Sequence, residues 1–315
     1  MLKCARKGCI YNRHSNLSNN DGTYCCKLCK LYNKHGKMCE KHINNKGVEL
    51  CLNPWYGRLG NNIHQLHNCI LIGLYYNYNI RIPPHDFFST TYIKLHNLPI
   101  TETITDKGNF FFNRSEIKNI DKKLFSVNIK KSLDILRDCF IIKGDSILPL
   151  DDNDLVIHIR SGDIFSTCIN KYYWQPPLSF YVNFINKNEF KNIYLVSEDN
   201  SNPCVDKLLE LFPNIQYKQN TLEDDIKIIL AAKIIISSNG WFVDELVKMS
   251  YNIKYVHNYS NEWFIDELVK MSYNVEHVYN CSNQTYIDFV TPWENTSEQR
   301  NIMLTFDENK PNNGL

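Results

Sequence analysis

From Leu155 onward the chain alternates short apolar runs with segments of helical periodicity, and this alternation restricts the fold more than any other feature. Residues 155–159, 193–196, 215–218 and 234–236 read as strands, and 178–186, 204–212 and 222–232 read as helices. Strands joined through helices run parallel, and a parallel sheet needs helices over both of its faces. The same texture starts earlier, with a strand at 48–52, a loop holding Pro54, Gly57 and Gly60, and a helix from Asn61 to about Tyr76. Ile63, Leu66, His67, Ile70, Leu71 and Leu74 share one face of that helix, and a strand at 78–82 stops at Pro83-Pro84. Phe110-Phe111-Phe112 is a possible strand and 129–140 a helix, but residues 85–130 give no topology. Two α/β halves, 47–150 and 151–315, make a two-lobed architecture the expectation.

One unit occurs twice. Trp241-Phe-Val-Asp-Glu-Leu-Val-Lys-Met-Ser-Tyr-Asn252 returns as Trp263-Phe-Ile-Asp-Glu-Leu-Val-Lys-Met-Ser-Tyr-Asn274, a period of 22 residues. Two copies fall short of the three that a solenoid needs. Segments 241–262 and 263–284 therefore read as a tandem duplication of one helix–strand unit, which a sheet edge or an external appendage tolerates most easily.

Residues 1–46 differ from the rest. Cys4, Cys9, Cys25, Cys26, Cys29 and Cys39, half of the chain's 12 cysteines, fall here among His and Lys, with little Val, Ile or Leu to build a core. The start lacks the apolar stretch of a signal peptide and no run is long enough to cross a membrane, so a reducing, cytoplasmic location is expected. Clustered thiols in such a chain read as metal ligands rather than disulfides. Cys26-x2-Cys29-x5-His35-x3-Cys39 suits a tetrahedral, structural zinc, with His42, Cys25, Cys4 and Cys9 as further ligands; the alternative is a free thiol cluster. Lys27, Lys30, Lys34, Lys37 and Lys41 also gather here, but a net charge of +1 for the whole chain favours a solvated face over a nucleic-acid surface.

The strand at 155–159 ends in His158-Ile-Arg160-Ser-Gly162-Asp163. An arginine delivered by a buried strand into a glycine-loosened loop suits a phosphate, whose oxygens its fork can hold in pairs. The plainer alternative is a surface ion pair between Arg160 and Asp163. Asp152-x-Asp154 matches the metal-binding pair of some glycosyltransferases, yet it enters the strand rather than leaving it and reads better as a polar turn.

Four segments in order resemble the α1,2-/α1,6- and protein O-fucosyltransferase superfamily: 56–65 (Tyr-Gly-Arg-Leu-Gly-Asn-Asn-Ile-His-Gln), 158–163, 195–199 (Leu-Val-Ser-Glu-Asp) and 225–239, which ends Ser237-Ser238-Asn239. Ser161 stands where many members carry a second arginine, and Asn62 where glutamine is usual. The resemblance implies an α/β fold of two Rossmann-like lobes (GT-B type), here preceded by the zinc-stapled segment. It places an acceptor side in the amino-terminal lobe and the donor nucleotide in the carboxy-terminal lobe, with no catalytic metal. It also implies Arg160 on the leaving diphosphate, His158 on nucleotide or phosphate, and Asp163 on the loop or guanine. Arg58, Gly60, Asn61, Ser197, Ser238 and Asn239 would bind the donor. The expected activity is inverting transfer of a sugar, fucose first, from a GDP-sugar to a glycan or protein hydroxyl. No general base is identifiable: Asp86, Glu198 and Asp199 are candidates, but each reads more readily as a solvated surface carboxylate. The rival is a catalytically silent, zinc-containing carbohydrate- or nucleotide-binding protein.

Overall fold

The computed structural model of the chain describes residues 47–106, 122–144, 149–166, 169, 171, 173–238, 240–259, 272, 274–280 and 283–309. The zinc candidates Cys26, Cys29, His35 and Cys39, the possible strand at 110–112 and Asn239 lie outside these residues. The architecture is mixed α/β with two sheets, both mainly parallel.

The first sheet is built from β1 (Gly47–Leu52), β2 (Tyr78–Arg81), β3 (Tyr92–Ile93) and β4 (Ile100–Asp106), in the order β3-β2-β1-β4. Only the β2–β3 pair is antiparallel. Helix α1 (Leu59–Tyr76) connects β1 to β2 and stops at Asn77, whose left-handed backbone (φ 58°) lets its N–H bond to the Gly73 carbonyl. Helix α2 (Lys122–Cys139) packs Ile129, Leu133 and Leu136 into the core; it starts seven residues before the sequence expectation. β3 and β4 were not foreseen. Both lie in the stretch whose polar, β-branched sequence gives no clean period.

The second sheet holds β5 (Leu155–Ile159), β6 (Ile193–Ser197), β7 (Ile215–Gln216), β8 (Ile234–Ser237), β9 (Tyr255–Asn258) and β10 (His277–Asn280). Its order is β10-β9-β8-β5-β6-β7, every pair parallel. Helices α3 (Leu178–Lys187), α4 (Pro203–Leu211), α7 (Gln284–Val290) and α8 (Ser297–Thr305) contribute to the core on one face. Helices α5 (Leu222–Ala231) and α6 (Trp241–Met249) contribute to the core on the other. β5 shows why its sequence is apolar throughout: Leu155, Ile157 and Ile159 enter one core and Val156 the other. The strand order reverses between β5 and β8, and doubly wound sheets bind ligands at the carboxyl end of such a reversal. The duplicated strand β10 extends the edge of this sheet. His277, Val278 and Tyr279 pair with Tyr255, Val256 and His257, each partner 22 residues away, so the second strand copy repeats the register of the first.

One hydrophobic core spans both sheets, running from Leu50, Ile63 and Ile70 to Val156, Ile235 and Leu246. Helix α1 lies inside it and is buried nearly all round from Leu59 to Gly73, which corrects the single apolar face expected from its periodicity. Polar residues on its far side meet α6. His64 Nδ1 lies 2.8 Å from Glu245 Oε1, which also accepts from Lys248 Nζ at 2.8 Å. His67 lies 3.6 Å from the other Glu245 oxygen and bonds Ser132 of α2 at 3.0 Å. Burial alone would raise the Glu245 pKa, but the charge of Lys248 and the pairing with His64 outweigh it and hold it well below the usual range. Burial lowers the pKa of His67 and keeps that imidazole neutral.

Candidate functional site

A cleft of about 390 Å³ opens at the carboxyl ends of β5, β6 and β8, at the reversal of the sheet, with the start of α1 closing it from the amino-terminal half. Arg58, Gly60, Asn61, His158, Arg160 and Asp163 all line it. The same walls include Tyr173, Glu198, Asn220, Asp225, Gly240 and Trp241.

β5 is buried on both faces, so its end is where polar side chains can leave the core. Arg160 Nη2 donates to Asp163 Oδ1 at 3.0 Å and Oδ2 at 3.3 Å, and its guanidinium carbon lies 5.2 Å from the centre of the Tyr173 ring. The turn between them has Gly162 at φ +67°, a left-handed backbone that favours glycine, and a Cβ there would displace the Glu198 carboxylate, whose oxygen would stand 2.4 Å away. His158 is buried, which together with the nearby Arg160 charge pushes its pKa down to about 3. It therefore faces the cleft as a neutral imidazole, able to donate or accept one hydrogen bond but not to add positive charge. His158 Nδ1 and Arg160 Nε are buried and, among the described residues, have no hydrogen-bond partner. Native interiors seldom leave such groups unpaired.

The 56–65 segment supplies the opposite wall. Asn62 Nδ2 donates to the Tyr56 carbonyl at 2.8 Å, and Gln65 holds the Tyr56 N–H and the Pro54 carbonyl, which fastens the loop to the helix. Gly60 sits where α1 meets α6; a Cβ there would stand 2.6 Å from Phe242 backbone atoms. The starts of α1 and α6 consequently touch beside the cleft, and neither carries a side-chain cap. Uncapped helix starts present N–H groups and a positive dipole end to an anion. From this wall Arg58 reaches across to Asp163 Oδ1 at 3.3 Å and Glu198 Oε2 at 2.7 Å. Asp163 thus joins two arginines that come from different halves of the chain.

Other candidates stand behind the wall. Ser197 Oγ donates to the carbonyls of Ile159 and Asp199, and Ser238 Oγ accepts from the Arg160 N–H at 2.8 Å. Both are buried, so they brace the loop that carries Arg160 and do not line the cleft. Ser161, in place of a second arginine, is buried as well, bonded to Asp199 and to the Asn202 N–H. Burial would raise the Asp199 pKa, yet hydrogen bonds from Ser161, Ser201 and Gly162 outweigh it and hold that pKa down. With its carboxylate committed to this loop, Asp199 is poorly suited to act as a base. Asp86 is exposed and not part of the cleft wall. Asp152 pairs with Lys233, and Asp154 accepts from the Asp151 N–H and Asn192, at the opposite end of β5 from the cleft. Among the described residues no cluster of three His, Cys, Asp or Glu side chains is placed to hold a metal ion.

Asp225 opens the fourth motif segment but was not among the site residues expected from it. It faces the cleft from α5, accepts from Asn220 at 3.1 Å, and burial raises its pKa to about 6. The available signal was an acidic residue beside Ile226, in register with the buried Ile229 of the same helix.

No protein-family model matches the chain, and no curated protein matches it. Among solved structures, it is similar to crystal structures of the protein O-fucosyltransferase POFUT1. The complex of that protein with GDP aligns over 68% of this chain and 98% of the other, at 10% identity and a TM-score of 0.39. The complex with GDP-fucose aligns over 69% and 98%, again at 10% identity and a TM-score of 0.39. Likeness at that level does not fix function, which rests on the cleft itself. Among the described residues no helix is long and apolar enough to cross a membrane.

Proposed function

We propose that this chain is an inverting glycosyltransferase that moves a sugar, fucose first among candidates, from a GDP-sugar to a hydroxyl of a glycan or protein. The observation that carries the proposal is the meeting of Arg58 and Arg160, one from each half, on Asp163 at the reversal of the parallel sheet. The GDP-fucose assignment rests on the four ordered sequence segments, and the two-lobed arrangement is the GT-B type those segments imply.

The chemistry suits such a site. As the bond from sugar to diphosphate breaks, the sugar becomes oxocarbenium-like and negative charge grows on the departing phosphate oxygens. Arg160 is held in place by Asp163, Tyr173 and the Ser238 brace, so it meets that charge without reorganising. One such fixed donor is worth about 10²–10³ in rate. Arg58 adds a second guanidinium from across the cleft, and neutral His158 adds a hydrogen bond. Arg58 and Arg160 supply the positive charge for the proposed step, for which the family resemblance implies no catalytic metal.

Release of GDP from GDP-fucose tests the proposal. The wild-type chain turns the donor over, and Arg160→Ala lowers the rate at least about 100-fold; equal rates in the two proteins would refute the role of Arg160. A silent nucleotide-binding module is the second reading, favoured by the buried Ser161 that replaces an arginine. Such a module binds GDP and releases no sugar. We further propose that Cys26, Cys29, His35 and Cys39 hold a structural zinc. Metal analysis should find zinc in the purified chain and its loss on Cys26→Ser, whereas a metal-free wild-type chain would rule it out.

A further inference from the structure

We infer that Glu198 is an internal competitor for Arg58, one that weakens the hold of the cleft on a diphosphate and so sets how readily that product leaves. This rests on the anion-binding role proposed for the cleft.

The two guanidiniums already have anions. Arg58 Nη2 lies 2.7 Å from Glu198 Oε2, and Asp163 takes Arg58 Nη1 at 3.3 Å and Arg160 Nη2 at 3.0 Å. Two arginines thus face two carboxylates, and Asp225 adds a third acidic group on the same wall. An anion entering this cleft finds no excess positive charge. It gains Arg58 only by replacing a carboxylate.

The two carboxylates are not equally replaceable. Asp163 lies three residues from Arg160 in one tight turn, shares both arginines and orients the Arg160 fork. Glu198 follows the end of β6 on a longer side chain, is about half exposed, and among the described residues forms an ion pair with Arg58 alone. Its carboxylate rests against Gly162, where the absence of a Cβ leaves it a seat. It can swing into solvent without breaking any other ion pair in the cleft, and return as a ligand departs. A ligand with one phosphate can be held by Arg160 while Glu198 stays. A diphosphate that spans both guanidiniums has to evict it. The cost of eviction therefore falls mainly on diphosphates.

Titration of wild-type, Glu198→Gln, Arg58→Ala and Arg58→Ala/Glu198→Gln proteins with inorganic pyrophosphate, orthophosphate, GMP and GDP tests the inference. Glu198→Gln should tighten pyrophosphate about three- to tenfold, and orthophosphate and GMP by less, because an exposed pair and one nearby like charge are modest terms. In the Arg58→Ala background the same change should have little effect, since the contested guanidinium is gone. Unchanged or weakened pyrophosphate binding in Glu198→Gln overturns the inference, as does equal tightening with and without Arg58. Pyrophosphate tightening without any GDP binding would leave the inference standing and refute the nucleotide assignment. GDP binding that ignores Glu198 would do the reverse.

Discussion

Two charged clusters lie near the seam where α1 meets α6, one at the cleft and one sealed in the core, and the two behave oppositely. At the helix starts, Arg58 shares Asp163 with Arg160 and pairs with Glu198 in a cleft that solvent can reach. Along the same seam, His64, His67, Glu245 and Lys248 form a cluster sealed from water, with Glu245 held by Lys248 of its own helix and by His64 of the other. Exposed ion pairs are cheap to exchange, while a buried charge cannot lose its partner without a large penalty. The open cluster is suited to trading partners with a ligand, and the sealed one to fixing where the two helix starts meet.

The largest test of that contrast is Glu245→Ala. It leaves the Lys248 charge buried without its partner and should cost about 3–5 kcal/mol in denaturant unfolding. Replacing both partners, as Glu245→Met/Lys248→Met, should cost much less because no lone charge remains. A loss below about 1 kcal/mol for Glu245→Ala would place the sealed cluster in the same class as the open one.

Asp225 gives an intermediate effect and a pH signature. Its folded pKa of about 6 lies above the ordinary 3.8, so the folded state holds a proton that the unfolded chain has released between those values. Stability falls as pH rises through that window and stays low above it. Asp225→Asn removes this penalty while keeping an acceptor for Asn220. The variant should gain about 1–3 kcal/mol over wild type above pH 6, with the gain vanishing near pH 4. A pH-independent difference would mean that the carboxyl is not held in a desolvated cleft wall.

Arg58→Ala should have the smallest effect on folding, within about 0.2–1 kcal/mol, because its partners stay hydrated. A loss comparable to that of Glu245→Ala would break the contrast outright.

The sequence displayed the second sheet well, since β5, β6 and β8 are apolar runs bounded by helices whose faces declare themselves. It also pointed to six residues that share the cleft, because their motifs sit at strand and helix ends. Three things were hidden. β3 and β4 lack a readable period and take their place only by pairing with β1 and β2. The all-round burial of α1 arises from a helix far along the chain, so local pattern could show only one face. Ser197 and Ser238 look like ligand contacts in a motif, yet depth, which sequence does not display, makes them braces for the Arg160 loop. The Arg160–Asp163 ion pair posed as the plainer alternative to a phosphate site is present, and it lines the cleft.

The most direct measurement is thermal unfolding of wild type and Arg160→Ala with GDP, UDP, ADP and CMP. At one hundred times its dissociation constant a ligand adds about 2.7 kcal/mol, enough to raise the midpoint by several degrees. GDP should produce that rise in the wild-type chain alone, with Arg160→Ala folding normally and showing none. An equal GDP shift in both proteins, or no shift with any nucleoside diphosphate, would contradict the assignment of the cleft.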